Sequence, residues 1–164
     1  RFPKKRTEFM EKWWLMWTLF RRFLVYPHLF LIAWEDGKTG KIPGTLLKSL
    51  LCRGCVLLFL KCIFYADPGV LLEAFEGFLT GGGAVFLIRI LTRGGIGAGD
   101  VKFLAAAGFC FGSKTILRAQ IFAVFLACPV CVYLFLTGNH RKRKGIPLAP
   151  FLSAGILLAD CLQR

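Results

Sequence analysis

The sequence predicts an all-α polytopic membrane protein, a bundle of about six transmembrane helices in one domain spanning residues 1–164. Three observations carry this. Hydrophobic residues make up 56% of the chain and aromatics 15%. A soluble domain of this size keeps much of its chain in contact with water and cannot hide that much apolar surface. Only 19% of residues are charged, below the roughly 25% of soluble domains. Finally, the apolar residues fall into runs near the ~20 needed to cross hydrocarbon, with basic residues gathered between the runs.

The six runs differ in quality. The first lies within residues 13–34, flanked by Trp13, Trp14 and Trp17, which suit an interfacial belt. Arg21 and Arg22 interrupt it, so its deep part is expected to begin near Phe23. The second, residues 46–66, contains Arg53 and Lys61, which must snorkel or face a polar interior. The third, residues 70–91, carries Gly77 and Gly81 at a spacing that lets helices approach closely. The fourth, residues 96–112, is short. The fifth, residues 116–136, holds Pro129 as a kink point. The sixth covers residues 148–162.

Loop charge then sets the orientation. Lys38, Lys41 and Lys48 follow the first run, Arg89 and Arg93 the third, and a basic stretch at 140–144 the fifth. The opposite loops hold little beyond Asp67 and Lys114. The positive-inside rule puts the basic set in the cytoplasm, in a multi-pass protein of the plasma membrane. The basic N-terminus opposes this unless residues 1–22 form an interfacial or irregular segment that turns inward. The net charge of +13 therefore reads as a membrane feature facing anionic lipid, not as nucleic-acid binding. Seven cysteines include two C-x-x-C pairs, Cys52/Cys55 and Cys128/Cys131. Both pairs lie in apolar runs with no histidine nearby, so they read as small apolar helix residues, and no metal or cofactor is expected.

Ionisable groups at membrane depth are costly and mark function. Asp100 ends the glycine-rich stretch Gly95–Ile–Gly97–Ala–Gly99 and opens an apolar helix. The glycines leave room for another backbone, and a carboxylate suits a helix's first turn. Read alone, it is equally a capping residue in a helix–helix turn. Asp36 closes the first run, where a solvated loop acid is the plain reading. Topology raises both: one leaves the membrane and the other enters it on the same side, so they share a depth although 64 positions apart.

Three stretches then resemble one family. Asp36 with Ile42–Pro43 matches the D-x6-P that follows the first span of the prepilin peptidases. Gly97–Ala–Gly99–Asp100–Val–Lys102 matches their G-x-G-D-x-K segment, followed by the small-residue helix Leu104–Ala–Ala–Ala–Gly108. Ile146–Pro147–Leu–Ala–Pro150–Phe151 matches the segment that opens their last span. The three occur in the family's order. One departure is Gly44, where Asn or Asp usually follows the first proline.

The resemblance implies a short, peptidase-only form, a single membrane-embedded peptidase domain. It implies an aspartic endopeptidase with Asp36 and Asp100 as the dyad. Gly97, Gly99, Lys102, Pro43, Pro147 and Pro150 support it. It also implies a substrate, the leader of a bacterial type IV pilin-like precursor, cut at the cytoplasmic membrane boundary. Lys102 lies about 200° around an ideal helix from Asp100 and is expected to point away from the dyad. Glu35 is a candidate contact for a basic leader. Two rival readings stand beside this: a non-catalytic transport or assembly subunit, in which Glu73 and Glu76 are the acids to watch, and a peptidase-like protein without activity.

Overall fold

A computed structural model describes residues 4–65, 69–137 and 147–162. These residues form six α-helices and no strand: α1 (Lys4–Thr39), α2 (Gly44–Tyr65), α3 (Gly69–Leu91), α4 (Ala98–Phe111), α5 (Ser113–Leu136) and α6 (Ala149–Cys161). Each follows one of the six apolar runs. The turn at Asp67 and the basic stretch at 140–144 lie outside the described residues.

Two of the helices, α3 and α5, are long and apolar enough to cross a membrane. Their best stretches have mean hydropathies of 1.5 and 2.3, and only 28% and 17% of those stretches is buried inside the protein. Large apolar side chains such as Leu72, Phe86, Val124 and Phe125 face outward from them, as helices facing lipid do. The other four helices fall short of that standard. Among them, α4 has 14 residues and α6 has 13, about 20 Å each at 1.5 Å per residue. The hydrocarbon layer is about 30 Å thick.

The first run holds a surprise. Helix α1 continues for 36 residues through Arg21, Arg22 and Pro27, so the two arginines interrupt the apolar run but not the helix. Val25, Leu29 and Ile32 form its fully buried stripe, at the 3.6-residue spacing that packs one helix face inward. Polar groups on neighbouring turns bind α2. His28 Nε2 lies 2.8 Å from Ser49 Oγ, and Arg53 Nη1 donates to the Leu24 carbonyl at 2.8 Å. The other basic residue of α2, Lys61, pairs with Glu73 at 2.7 Å. The two cations expected to snorkel or face a polar interior thus have partners within the protein.

Small residues bring the remaining helices together. A Cβ at Gly77 would lie 2.1 Å from the Gly108 carbonyl oxygen, and one at Gly81 would lie 2.3 Å from that of Leu104. The α3 and α4 backbones are therefore in direct contact, through the two glycines whose spacing predicts it. Gly155 makes the same kind of approach to Ala119 on α5. In lipid, apolar side chains gain nothing by meeting each other, so such close backbone packing is what holds helices together. It leaves α4 enclosed, with Phe103 to Gly108 buried without interruption. The short central helix carries Asp100 in its first turn, and the surrounding helices fix its position.

Candidate active site

Asp36 lies in the last turn of α1. Gly40 ends that helix at φ +64°, a left-handed conformation that suits glycine, and its N–H donates to the Asp36 carbonyl at 2.8 Å. The Asp36 side chain is only 5% exposed. Its Oδ2 accepts the Ala149 backbone N–H at 3.1 Å. Ala149 is the first residue of α6, where backbone N–H groups lack helical partners and the dipole favours an anion. Pro150 has no N–H to offer, and Pro147 sits two residues before Ala149. The two motif prolines thus flank the donor that meets Asp36. Burial pushes the Asp36 carboxyl above its ordinary range, and the Ala149 N–H opposes this.

Asp100 reaches the same end of the bundle from α4. Gly97 caps that helix in an extended conformation, and its backbone N–H interacts with the Asp100 carboxylate. A Cβ added to Gly97 would lie 3.0 Å from Asp100 Oδ2. Gly99 faces the segment after Asp36: its Cβ would meet the Ile42 Cβ at 3.3 Å. The D-x6-P and G-x-G-D segments therefore pack against each other. Asp100 is half-buried and feels the negative charge of Asp36. Among the described residues, the ion pairs involve Asp160 and Glu73, and neither Asp36 nor Asp100 has a cation.

Asp100 also lines a cavity of about 460 Å³ between α3, α4, α5 and α6. Its walls are mainly apolar, including Ile96, Leu104, Leu117, Ile121 and Phe151, with Gln120 among them. An acid thus borders an apolar groove.

The supporting residues take distinct places. Pro43 immediately precedes α2, its carbonyl accepting the Leu46 and Leu47 N–H groups at 3.1 and 3.3 Å. Lys102 is exposed, as is Gly44. A Cβ at Gly44 would meet nothing within 4 Å, so space does not force the departure at that position. Glu35 is partly exposed beside Asp36.

Two contributors escape sequence reading. Arg89 counted only as loop charge, yet its Nη1 donates to the Ile96 carbonyl, immediately before Gly97. The Ala149 N–H is a backbone group, and only the flanking prolines hint at it. Glu73, the acid of the transport reading, is half-exposed and bound to Lys61, beside a cavity of only about 50 Å³. No group of His, Cys, Asp or Glu among the described residues is arranged to hold a metal.

Comparison with known proteins agrees with the motifs. Residues 23–136 match the type IV leader peptidase family. The chain is 37% identical over 145 residues to a prepilin leader peptidase/N-methyltransferase of Bacillus subtilis (strain 168), covering 86% of this chain and 55% of that protein. It is 35% identical over 132 residues to leader peptidase HopD of Escherichia coli, covering 77% of this chain and 81% of HopD. With a prepilin leader peptidase/N-methyltransferase of Burkholderia pseudomallei (strain 1026b) the identity is 32% over 123 residues, 73% of this chain and 39% of that protein. The chain thus spans about half the length or less of the two N-methyltransferase relatives. No solved structure matches it. With a family match across most of its length, and with HopD alike over most of both chains, the chain belongs to the type IV leader peptidase family.

Proposed function

We propose that this chain is a multi-pass membrane aspartic endopeptidase that removes the leader of type IV pilin-like precursors at the cytoplasmic membrane face. Asp36 and Asp100 form its dyad. One observation supports the reading: Asp36 and Asp100, from distant parts of the chain and neither with a cation among the described residues, are near enough for the charge of Asp36 to bear on Asp100, which lines an apolar groove.

The chemistry follows from that pairing. Two neighbouring carboxylates do not readily ionise together, so the pair holds one proton and titrates as a unit. The ionised member takes a proton from water, whose oxygen attacks the scissile carbonyl carbon. The protonated member hydrogen-bonds the carbonyl oxygen as negative charge builds there. Collapse of the tetrahedral intermediate breaks the C–N bond, and the departing amine takes up a proton from the pair. The Ala149 N–H holds the Asp36 carboxylate in place. Gly99 lets Ile42 of the first motif pack against the Asp100 segment, and Gly97 keeps the Asp100 carboxylate clear of a neighbouring side chain. The precursor's hydrophobic segment lies along the groove below Asp100, and its leader extends toward the cytoplasm past Glu35. No metal or cofactor enters the scheme.

The test is direct. The chain reconstituted in liposomes is incubated with a pilin-like precursor, and the products are identified by mass spectrometry. Cleavage at the leader boundary is expected. An intact precursor with a folded chain would overturn the proposal.

A further inference from the structure

Asp160 plays no part in the proposed chemistry, yet it is the most heavily bonded acid among the described residues. It lies near the end of α6 and is 1% exposed. Arg21 Nη2 donates to its Oδ1. Arg22 Nε donates to Oδ2 at 2.8 Å, and Arg22 Nη2 donates to its backbone carbonyl at 2.8 Å. The Tyr26 hydroxyl donates to Oδ2 at 2.6 Å. Both arginines that interrupt the first apolar run are consumed by this one carboxylate.

The cluster is one of three polar ties along the antiparallel seam of α1 and α6. Ser153 Oγ donates to the Leu29 carbonyl at 3.2 Å in the middle. Ala149 N–H donates to Asp36 at the other end. Residues 36, 29 and 22 of α1 are seven apart, two helical turns, and face 149, 153 and 160 in turn. Between the ties lie side chains such as Val25, Leu29, Ile156 and Ala159, fully buried in the core, none of which carries a polar group that would specify the register. A slide of one turn, about 5.4 Å, would strand two arginines and a carboxylate without partners, the costliest error available in an apolar setting. A buried polar group that fixes helix register is well attested elsewhere.

We propose that Asp160 is a positioning residue: its bonds to Arg21, Arg22 and Tyr26 set the register of α6 on α1 and so deliver the Ala149 N–H to Asp36. Its catalytic consequence rests on the peptidase reading above. Its structural consequence does not. Without the lock, α6 samples neighbouring registers, and the Asp36 carboxylate loses its fixed orientation.

The experiment uses a chain whose seven cysteines are replaced by alanine. Leu29→Cys with Ser153→Cys reports the native register through a short bifunctional thiol reagent. Val25→Cys or Ala33→Cys with Ser153→Cys reports a slide of one turn either way. Each pair is read with Asp160 intact, with Asp160→Asn, and with the neutral set Arg21→Met, Arg22→Gln, Asp160→Asn, which leaves no orphan charge. Asp160→Asn and the neutral set are expected to shift cross-linking from the 29–153 pair toward a slid pair. In both, kcat should fall on the order of a hundredfold, the cost of a misplaced group, with little change in KM. Asp160→Glu should restore most of both signals.

Unchanged 29–153 cross-linking and unchanged kcat in the neutral set would overturn the inference. So would failure of the neutral set to fold, since the cluster would then hold the whole bundle rather than one register. If the intact chain cleaves no precursor, the peptidase reading fails, while the cross-links still decide the register claim.

Discussion

The middle of α1 and its last turn treat acids in opposite ways. Near the middle, Arg21, Arg22 and Tyr26 surround Asp160, leaving that carboxylate bonded on both oxygens. At the last turn, Asp36 receives one backbone N–H, and its charge bears on a second acid, Asp100. Both places draw carboxylates into an apolar interior, where a charge without a partner is costly. The first supplies cations and gains a fixed joint between helices. The second has no cation among the described residues, and in the proposed function the pair there shares one proton and does acid–base work.

The largest effect that would break this contrast is loss of the dyad. Asp36→Asn and Asp100→Asn are each expected to lower kcat/KM for precursor cleavage by on the order of a thousandfold or more, with the helices retained by circular dichroism. Activity in either variant would refute the pairing. Next comes close approach at the glycine segment. Gly99→Leu should stop cleavage by pushing Ile42, already 3.3 Å from an added Cβ, off the segment. Gly44→Asn, where the space is open, should cleave like the parent chain in the same assay.

The pH profile sharpens the contrast further. Burial raises the Asp36 carboxyl above its ordinary value of about 4, so it takes up its proton at a higher pH than a free aspartate. Once both acids are protonated no base remains. The acid limb of kcat/KM, which belongs to the pair, should therefore fall above pH ~4, and a limb at or below that value would contradict a raised carboxyl in the dyad. A smaller effect attaches to Arg89→Met, which frees the Ile96 carbonyl and should cost roughly tenfold in kcat. The smallest is Gly40→Ala, which strains a helix end at φ +64° and should lower stability by about 1 kcal/mol in a denaturant titration.

The legible part of this protein is its local part. Runs of apolar residues locate α2 to α6 to within a few positions, whereas α1 begins nine residues before its run. The spacing of Gly77 and Gly81 foretells the contact of α3 with α4, because a helix displays residues four apart on one face. The motifs around Asp36 and Asp100 mark the site because each needs particular small or acidic residues side by side. What stayed illegible joins distant positions. Arg21 and Arg22 look like an interruption of a span until Asp160, 139 and 138 residues away, is brought to them. The bonds made by Arg89 and Ala149 use backbone groups, which every residue carries and no side-chain pattern distinguishes. The six apolar runs also overstate the case for six spans, since length and composition qualify only α3 and α5.

The central claim is that Asp36 and Asp100 converge in the membrane-embedded protein. Its most direct test is cross-linking of a chain carrying Asp36→Cys and Asp100→Cys with its seven native cysteines replaced by alanine, held in native membranes and treated with a short bifunctional thiol reagent. Rapid intramolecular cross-linking is expected for that pair and none for Asp100→Cys with Asp160→Cys. Equal, slow reaction of both pairs would contradict the account.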